Sequence, residues 1–178
     1  MNTQKAIFLD LFGTLIHDHG AMDKIEDISF KNRSIDALKK FQDNGFIAFL
    51  SICRIDMPLP GRSYLQNVQN YVMEKLMLSG IEKKSIHFVS HVYPQSIELH
   101  PITLDVINSL KNEHKLKLSS CVLVGDLMKD IRIGKDAGVK TALLSSPDDS
   151  PMEVDDDWME PDIIGDNLYE IAMQLVNE

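Results

Sequence analysis

Two carboxylates, each closing a short apolar run, are the residues of this chain best suited to chemistry. Asp10 follows Ala6-Ile7-Phe8-Leu9 and leads into Leu11-Phe12-Gly13-Thr14; Asp126 follows Cys121-Val122-Leu123-Val124-Gly125, with Asp130 four residues on. Runs this short and this rich in β-formers read as buried parallel strands. Open α/β sheets bind their ligands at the C-terminal ends of such strands. A carboxylate there is costly to keep unless it is solvated, paired or holding a cation. Taken alone, Asp10 is equally well a solvated residue starting a turn; the second acidic cluster in the same setting favours the cation. Residues i and i+4 share a helix face, so a helix entered here would aim Asp126 and Asp130 together. Three carboxylates converging at neighbouring strand ends make an oxygen-rich site of the kind Mg²⁺ takes, alongside water and a phosphate. One of them could then act as a nucleophile while the cation neutralises charge on a transferring phosphoryl group. Ser51, at the end of another apolar run, could donate a hydrogen bond to that group, although a strand-end Ser is commonly a turn residue. Gly13 and Thr14 turn the chain tightly and let its backbone approach an anion.

The elements that must position these residues follow from the pattern. A strand over residues 6–10 gives way to a loop or small flap over residues 16–31, whose His17 and His19 read as loop residues before metal ligands. A helix follows over Asn32 to Gly45, with Ile35, Leu38 and Phe41 on one face and Asn32 or Ser34 as its cap. Phe46 to Ser51 is a second buried strand. The Pro-rich piece Met57 to Gly61 breaks the chain before a helix marked by Tyr64, Leu65, Val68, Tyr71, Val72 and Leu76, which Gly80 ends. Ile86 to Ser90 is a third strand, His91 to Pro101 is irregular, and Ile102 to Glu113 is amphipathic. After the strand ending at Asp126, a helix runs to Gly138 and a strand spans Thr141 to Ser145. Ser146 to Pro161 is an acidic, solvated loop, Ile163-Ile164 an edge strand and Leu168 to Val176 a closing helix. Strands alternating with helices predict a doubly wound α/β parallel sheet, with residues 1–178 as one domain.

Composition narrows the function classes. The chain has 178 residues, 44% hydrophobic and 25% charged, which is the profile of an ordinary globular protein with a sizeable core. No run approaches the ~20 apolar residues of a membrane-spanning helix, and the polar Met1 to Lys5 leads straight into a strand without a signal peptide. Cys53 and Cys121 are the only cysteines, without metal spacing, and read as small buried hydrophobes in a cytoplasmic protein. The net charge of −9 is unevenly spread: residues 1–147 carry 18 basic against 16 acidic side chains, and residues 148–178 carry 11 acids and no Lys or Arg. No basic patch with interleaved aromatics appears, so neither nucleic acid nor membrane is an expected partner. A homo-oligomer is compatible with the sequence.

In this order and spacing the motifs resemble the haloacid dehalogenase (HAD) superfamily along nearly the whole chain. Asp10-Leu11-Phe12-Gly13-Thr14 resembles its first motif, DxDGT. Ser51 falls at the second, a strand-end Ser or Thr; Glu98-Leu99-His100-Pro101 falls where a KPxP-type third is expected; and Gly125-Asp126 with Asp130 matches the fourth, GDxxxD. Among subfamilies the opening and the size are most similar to the small heptose-bisphosphate and histidinol-phosphate phosphatases. The resemblance implies a Mg²⁺-dependent phosphohydrolase acting on a small phosphorylated substrate, with Asp10 as nucleophile and Ser51 contacting phosphate. It also implies that Asp10, the Phe12 main-chain carbonyl, Asp126 and Asp130 hold the metal.

Departures from the pattern are equally specific. Family phosphatases carry an acid two residues after the nucleophile, where this chain has Phe12. Their third-motif Lys aligns with Glu98, leaving Arg54 and a protonated His100 as nearby cations. The cysteine loop that binds zinc in the heptose-bisphosphate branch is missing, since residues 90–100 contain no Cys. The expectation is therefore a slow or atypical phosphohydrolase, or a catalytically impaired metal-binding relative that acts as a binding or regulatory module. Only 46 residues separate Ser51 from Glu98, which leaves no room for a large lid.

Overall fold

In the computed structural model, residues 4–17, 25–52, 62–90, 102–145 and 159–177 are described. Their strands are β1 (Lys5–Asp10), β2 (Phe46–Ile52), β3 (Ile86–Ser90), β4 (Val122–Gly125), β5 (Lys140–Leu144) and β6 (Ile163–Gly165). The helices are α1 (Ser34–Asp43), α2 (Arg62–Leu78), α3 (Leu104–His114), α4 (Met128–Ala137) and α5 (Leu168–Val176). All strand pairs are parallel, in the order β3-β2-β1-β4-β5-β6. The chain winds outward in one direction from β1 to β3 and in the other from β4 to β6. The order therefore reverses between β1 and β4, and a crevice opens at such a switch point.

Period-two alternation along β1 divides the core. Ile7 and Leu9 face a cluster with Leu38 and Phe41 of α1, Val68 and Val72 of α2, and Ile171 of α5. Ala6 and Phe8 face the opposite layer, with Ile107 of α3 and Ala137 of α4. Both faces of the sheet are covered, which is why its central strands read as continuous apolar runs. Phe8 and Phe49 stack across β1 and β2 at 5.5 Å between ring centres. No large cap is evident among the described residues.

Several local expectations shift. Helix α1 is not capped by Asn32 or Ser34: Arg33 occupies the N-cap position in the left-handed region (φ 58°) and makes no side-chain cap bond. Its guanidinium instead lies 3.4 Å from the centre of the Tyr169 ring on α5, and Ser34 becomes the first helical residue. Ser51 is not a turn residue, because β2 continues to Ile52. Of the segment expected to be a loop or flap, the described ends are joined by a short antiparallel bridge between Ile16 and Phe30, with the His17 N–H donating to the Ser29 carbonyl at 2.9 Å, and residues 18–24 lie outside the described residues. His19, Cys53, Arg54, the Pro-rich piece, residues 91–101 with Glu98 and His100, and most of the acidic loop lie outside the described residues.

Candidate active site at the β1/β4 switch point

Asp10 and Ser51 are paired residues in the β1–β2 register, and the Leu11 N–H donates to the Ser51 carbonyl at 2.8 Å. Leu9 pairs with Val124 on the other side of β1, which brings the strand end carrying Asp126 next to Asp10. The three residues thus come from three adjacent strands, as expected from the sequence. Ser51 is buried, Asp10 is half-buried and Asp126 is exposed at the sheet edge.

The loop after Asp10 is fixed by its own backbone. The Leu15 and Ile16 N–H groups both donate to the Leu11 carbonyl, and the Gly13 N–H donates to the Ile16 carbonyl at 2.9 Å. Gly13 has φ 80°, a conformation that side-chain-bearing residues rarely adopt. A Cβ there would sit 3.3 Å from Asp126 Oδ2, so the Asp126 carboxylate lies against the Gly13 backbone. The first acidic motif and the second therefore meet directly.

Asp130 is placed differently from the sequence argument. Asp126 precedes α4, whose N-cap is Leu127, so the two carboxylates do not share a helix face. Asp130 is 2% exposed; its Oδ2 accepts the Leu127 N–H at 3.1 Å, while its own N–H donates to the Leu127 carbonyl at 3.0 Å. The carboxylate thus satisfies an N–H at the start of the helix, one of the groups with no partner inside it. It also lies over Gly125, where any Cβ would overlap it. Among the described residues, no three His, Cys, Asp or Glu side chains are close enough to form a shared ligand set.

The donor chemistry still suits Mg²⁺, which is usually held by one or two carboxylates together with water and phosphate oxygens. Asp10, Asp126 and the Phe12 carbonyl lie on the two strand ends that meet at Gly13. Phe12 is half-buried and packs against the core, so no carboxylate stands two residues after Asp10.

Sequence reasoning missed a cleft of about 360 Å³ beside this site, reaching from Thr14 and Asp126 to the first residues of α1 and α5. Thr14 and Ser34, each 1% exposed, line it. Asn167 caps α5 by accepting the Glu170 N–H at 3.0 Å, and Glu170 accepts the Asp166 N–H in return. An Asn-x-x-Glu spacing preceding the closing helix was the available signal for that end of the cleft. Nothing local in the sequence brings it to Ser34, more than a hundred residues away.

Known proteins resemble the chain in both sequence and fold. The family model for HAD-hydrolase-like proteins matches residues 103–171. The D-glycero-beta-D-manno-heptose-1,7-bisphosphate 7-phosphatase of Helicobacter pylori is 25% identical over 166 residues, covering 90% of this chain and 93% of that protein. The enzyme of the same name from Haemophilus ducreyi is 26% identical over 153 residues, with 79% and 82% covered. In fold, the D,D-heptose 1,7-bisphosphate phosphatase from B. bronchiseptica, solved with magnesium and phosphate, superposes with a TM-score of 0.80 at 14% identity, covering 98% of this chain and 99% of that one.

Sheet order, motif placement and these likenesses agree on the class and support the haloacid dehalogenase superfamily. In sequence the chain stands near the phosphatases of the heptose-bisphosphate branch.

Proposed function

We propose that this chain is a Mg²⁺-dependent phosphohydrolase that acts on a small phosphorylated molecule through an aspartyl-phosphate on Asp10. The observation that carries this reading is the pairing of Asp10 with Ser51 on one side while Asp126 rests against the loop that follows Asp10. Asp10 attacks phosphorus and the ester oxygen leaves; water then attacks the acyl phosphate, releasing phosphate and restoring the carboxylate. The Ser51 hydroxyl donates to a phosphoryl oxygen. Bound metal supplies charge neutralisation at the phosphoryl group, held by Asp10, the Phe12 carbonyl and Asp126, with Asp130 fixing the turn that presents Asp126.

Phe12 limits the rate. Without a general acid the reaction loses ~10²–10⁴, against phosphate-monoester accelerations that reach ~10²¹. Turnover is therefore slow but not abolished. The names of the relatives make a phosphorylated heptose the first substrate to try. Assay of phosphorylated metabolites with Mg²⁺, including heptose 1,7-bisphosphate, tests the reading, with Asp10→Asn as control. Turnover that disappears in Asp10→Asn supports it, and turnover that survives that change refutes it. The second reading, a metal-binding module without catalysis, is favoured by Phe12 and requires Mg²⁺ binding with no turnover of any substrate.

A further inference from the structure

Two kinds of uncommitted group line the cleft that runs from Asp126 to the starts of α1 and α5. The first is a pair of hydroxyls: Thr14 and Ser34 are each 1% exposed, and neither has a hydrogen-bond partner among the described residues. Buried polar groups are almost always paired, so two such hydroxyls at one place require an explanation. The second is a pair of opposite charges, Lys31 at the start of α1 and Asp166 before α5. Two residues past Lys31 and three past Asp166, the Arg33 guanidinium lies 3.4 Å from the centre of the Tyr169 ring, so the two helix starts are in contact. Lys31 and Asp166 nevertheless form no ion pair with each other among the described residues.

That arrangement selects a ligand chemistry. Donors gather on one wall, where the Lys31 ammonium and the Asn32 amide join the Ser34 and Thr14 hydroxyls. Opposite them the Asp166 carboxylate accepts, while its neighbour Asn167 is already committed to Glu170 through both ends of its amide. A ligand that is only an anion leaves Asp166 unanswered, and one that is only a cation leaves Lys31 unanswered. A small zwitterion answers both. Leu144 and Leu168 add an apolar wall for a hydrocarbon side chain, and the volume of about 360 Å³ far exceeds the ~30 Å³ share of one water.

We propose that this cleft binds a free α-amino acid with an apolar side chain, its carboxylate held by Lys31, Ser34 and Thr14 and its ammonium by Asp166. Gly13 and Asp126 line the same cleft, so the occupant lies beside the carboxylate centre as an effector and not as a substrate. The ligand carries no phosphate, and its site does not depend on the phosphohydrolase reading.

Binding is followed by ligand-observed NMR and by melting temperature, with three probes that share one side chain: L-leucine, its methyl ester and 4-methylpentanoate. The ester lacks the anion and the acid lacks the ammonium. L-leucine binds at millimolar concentration and raises the melting temperature, and each single-charge probe binds about tenfold more weakly. Lys31→Ala and Asp166→Ala each weaken L-leucine about tenfold, and Ser34→Ala about fivefold. The two charge variants also differ in kind: Lys31→Ala loses the discrimination against the ester, and Asp166→Ala the discrimination against 4-methylpentanoate. A merely structural role for either residue would not produce that split. Ser34→Ala removes an unpartnered hydroxyl, so the melting temperature of the free protein holds or rises. Absence of L-leucine binding overturns the proposal, as does either single-charge probe binding as tightly as L-leucine; the hydroxyls are then served by ordered water.

Discussion

Replacing Gly125 by Ala is a sharp test of how the second acidic motif is built. Gly125 is not among the residues with positive φ, so its backbone is one that Ala adopts freely. At such a position Ala ordinarily stabilises a protein by about 0.4–1 kcal/mol, by restricting the unfolded chain. Here the added methyl would overlap the Asp130 carboxyl, including its Cβ, so the end of β4 or the start of α4 must move. Overpacking of this kind costs about 1–3 kcal/mol. Displacing the carboxylate also forfeits the Leu127 N–H bond, a charge-assisted contact of about 1.5–3 kcal/mol. Allowing for partial relaxation, the net loss is about 3 kcal/mol, or roughly 6–12 °C in melting temperature for a chain of this size. Urea and thermal unfolding measure it directly. A Gly125→Ala variant as stable as the wild type would refute the placement of Asp130 over Gly125, and with it the idea that this carboxylate is held in place by packing.

Other expectations follow from the same geometry. Millimolar Mg²⁺ raises the melting temperature by binding only the folded chain, and Asp126→Asn removes most of that rise; calorimetry showing no binding would end the metal assignment. Because Phe12 supplies no proton, aryl and acyl phosphates outpace sugar phosphates, and Phe12→Asp rescues sugar-phosphate turnover far more than aryl-phosphate turnover; equal rescue would show that protonation is not limiting. His87 is held below its ordinary value of 6.5 by burial and then by His114, whose ring centre is 4.8 Å away, with the Lys84 backbone and Glu113 opposing. Its unfolded form therefore takes up protons first, so this contribution is complete above about pH 6.5 and falls away as pH drops below it. His87→Phe flattens that loss, and unfolding curves for variant and wild type that track each other between about pH 5 and 7.5 would exclude it.

How much of this was legible in the sequence depends on how local each signal is. Strand ends at Asp10 and Asp126 could be read because the apolar runs before them have to be buried on both faces. Gly45, Gly80 and Gly138 marked helix ends, and all three carry positive φ. The cap of α1 could not be read: Ser34 and Asn32 have the right chemistry, yet the contact of Arg33 with Tyr169 comes from α5 and is invisible to local spacing. The same limit hid the cleft, whose walls meet only after β6 has paired with β5. Treating Asp126 and Asp130 as helix-face neighbours failed for a smaller reason: the helix begins two residues after Asp126, which moves that residue off the face.

That last displacement separates two demands contained in one motif. Gly125 and Asp130 serve each other: the glycine leaves room for the carboxyl, and the carboxyl satisfies the Leu127 N–H where the strand turns into α4. Neither contact needs a metal or a substrate. Asp126 stands exposed against Gly13, on the side where Asp10 and Ser51 end. The fold alone therefore accounts for Gly125 and Asp130, and the Gly-Asp-x-x-x-Asp spacing by itself argues for the fold. The case for chemistry rests on the pair of exposed and half-buried carboxylates, Asp126 and Asp10, that the fold brings to neighbouring strand ends. Asp130→Asn and Asp126→Asn should accordingly separate, the first acting mainly on stability and the second on Mg²⁺ affinity.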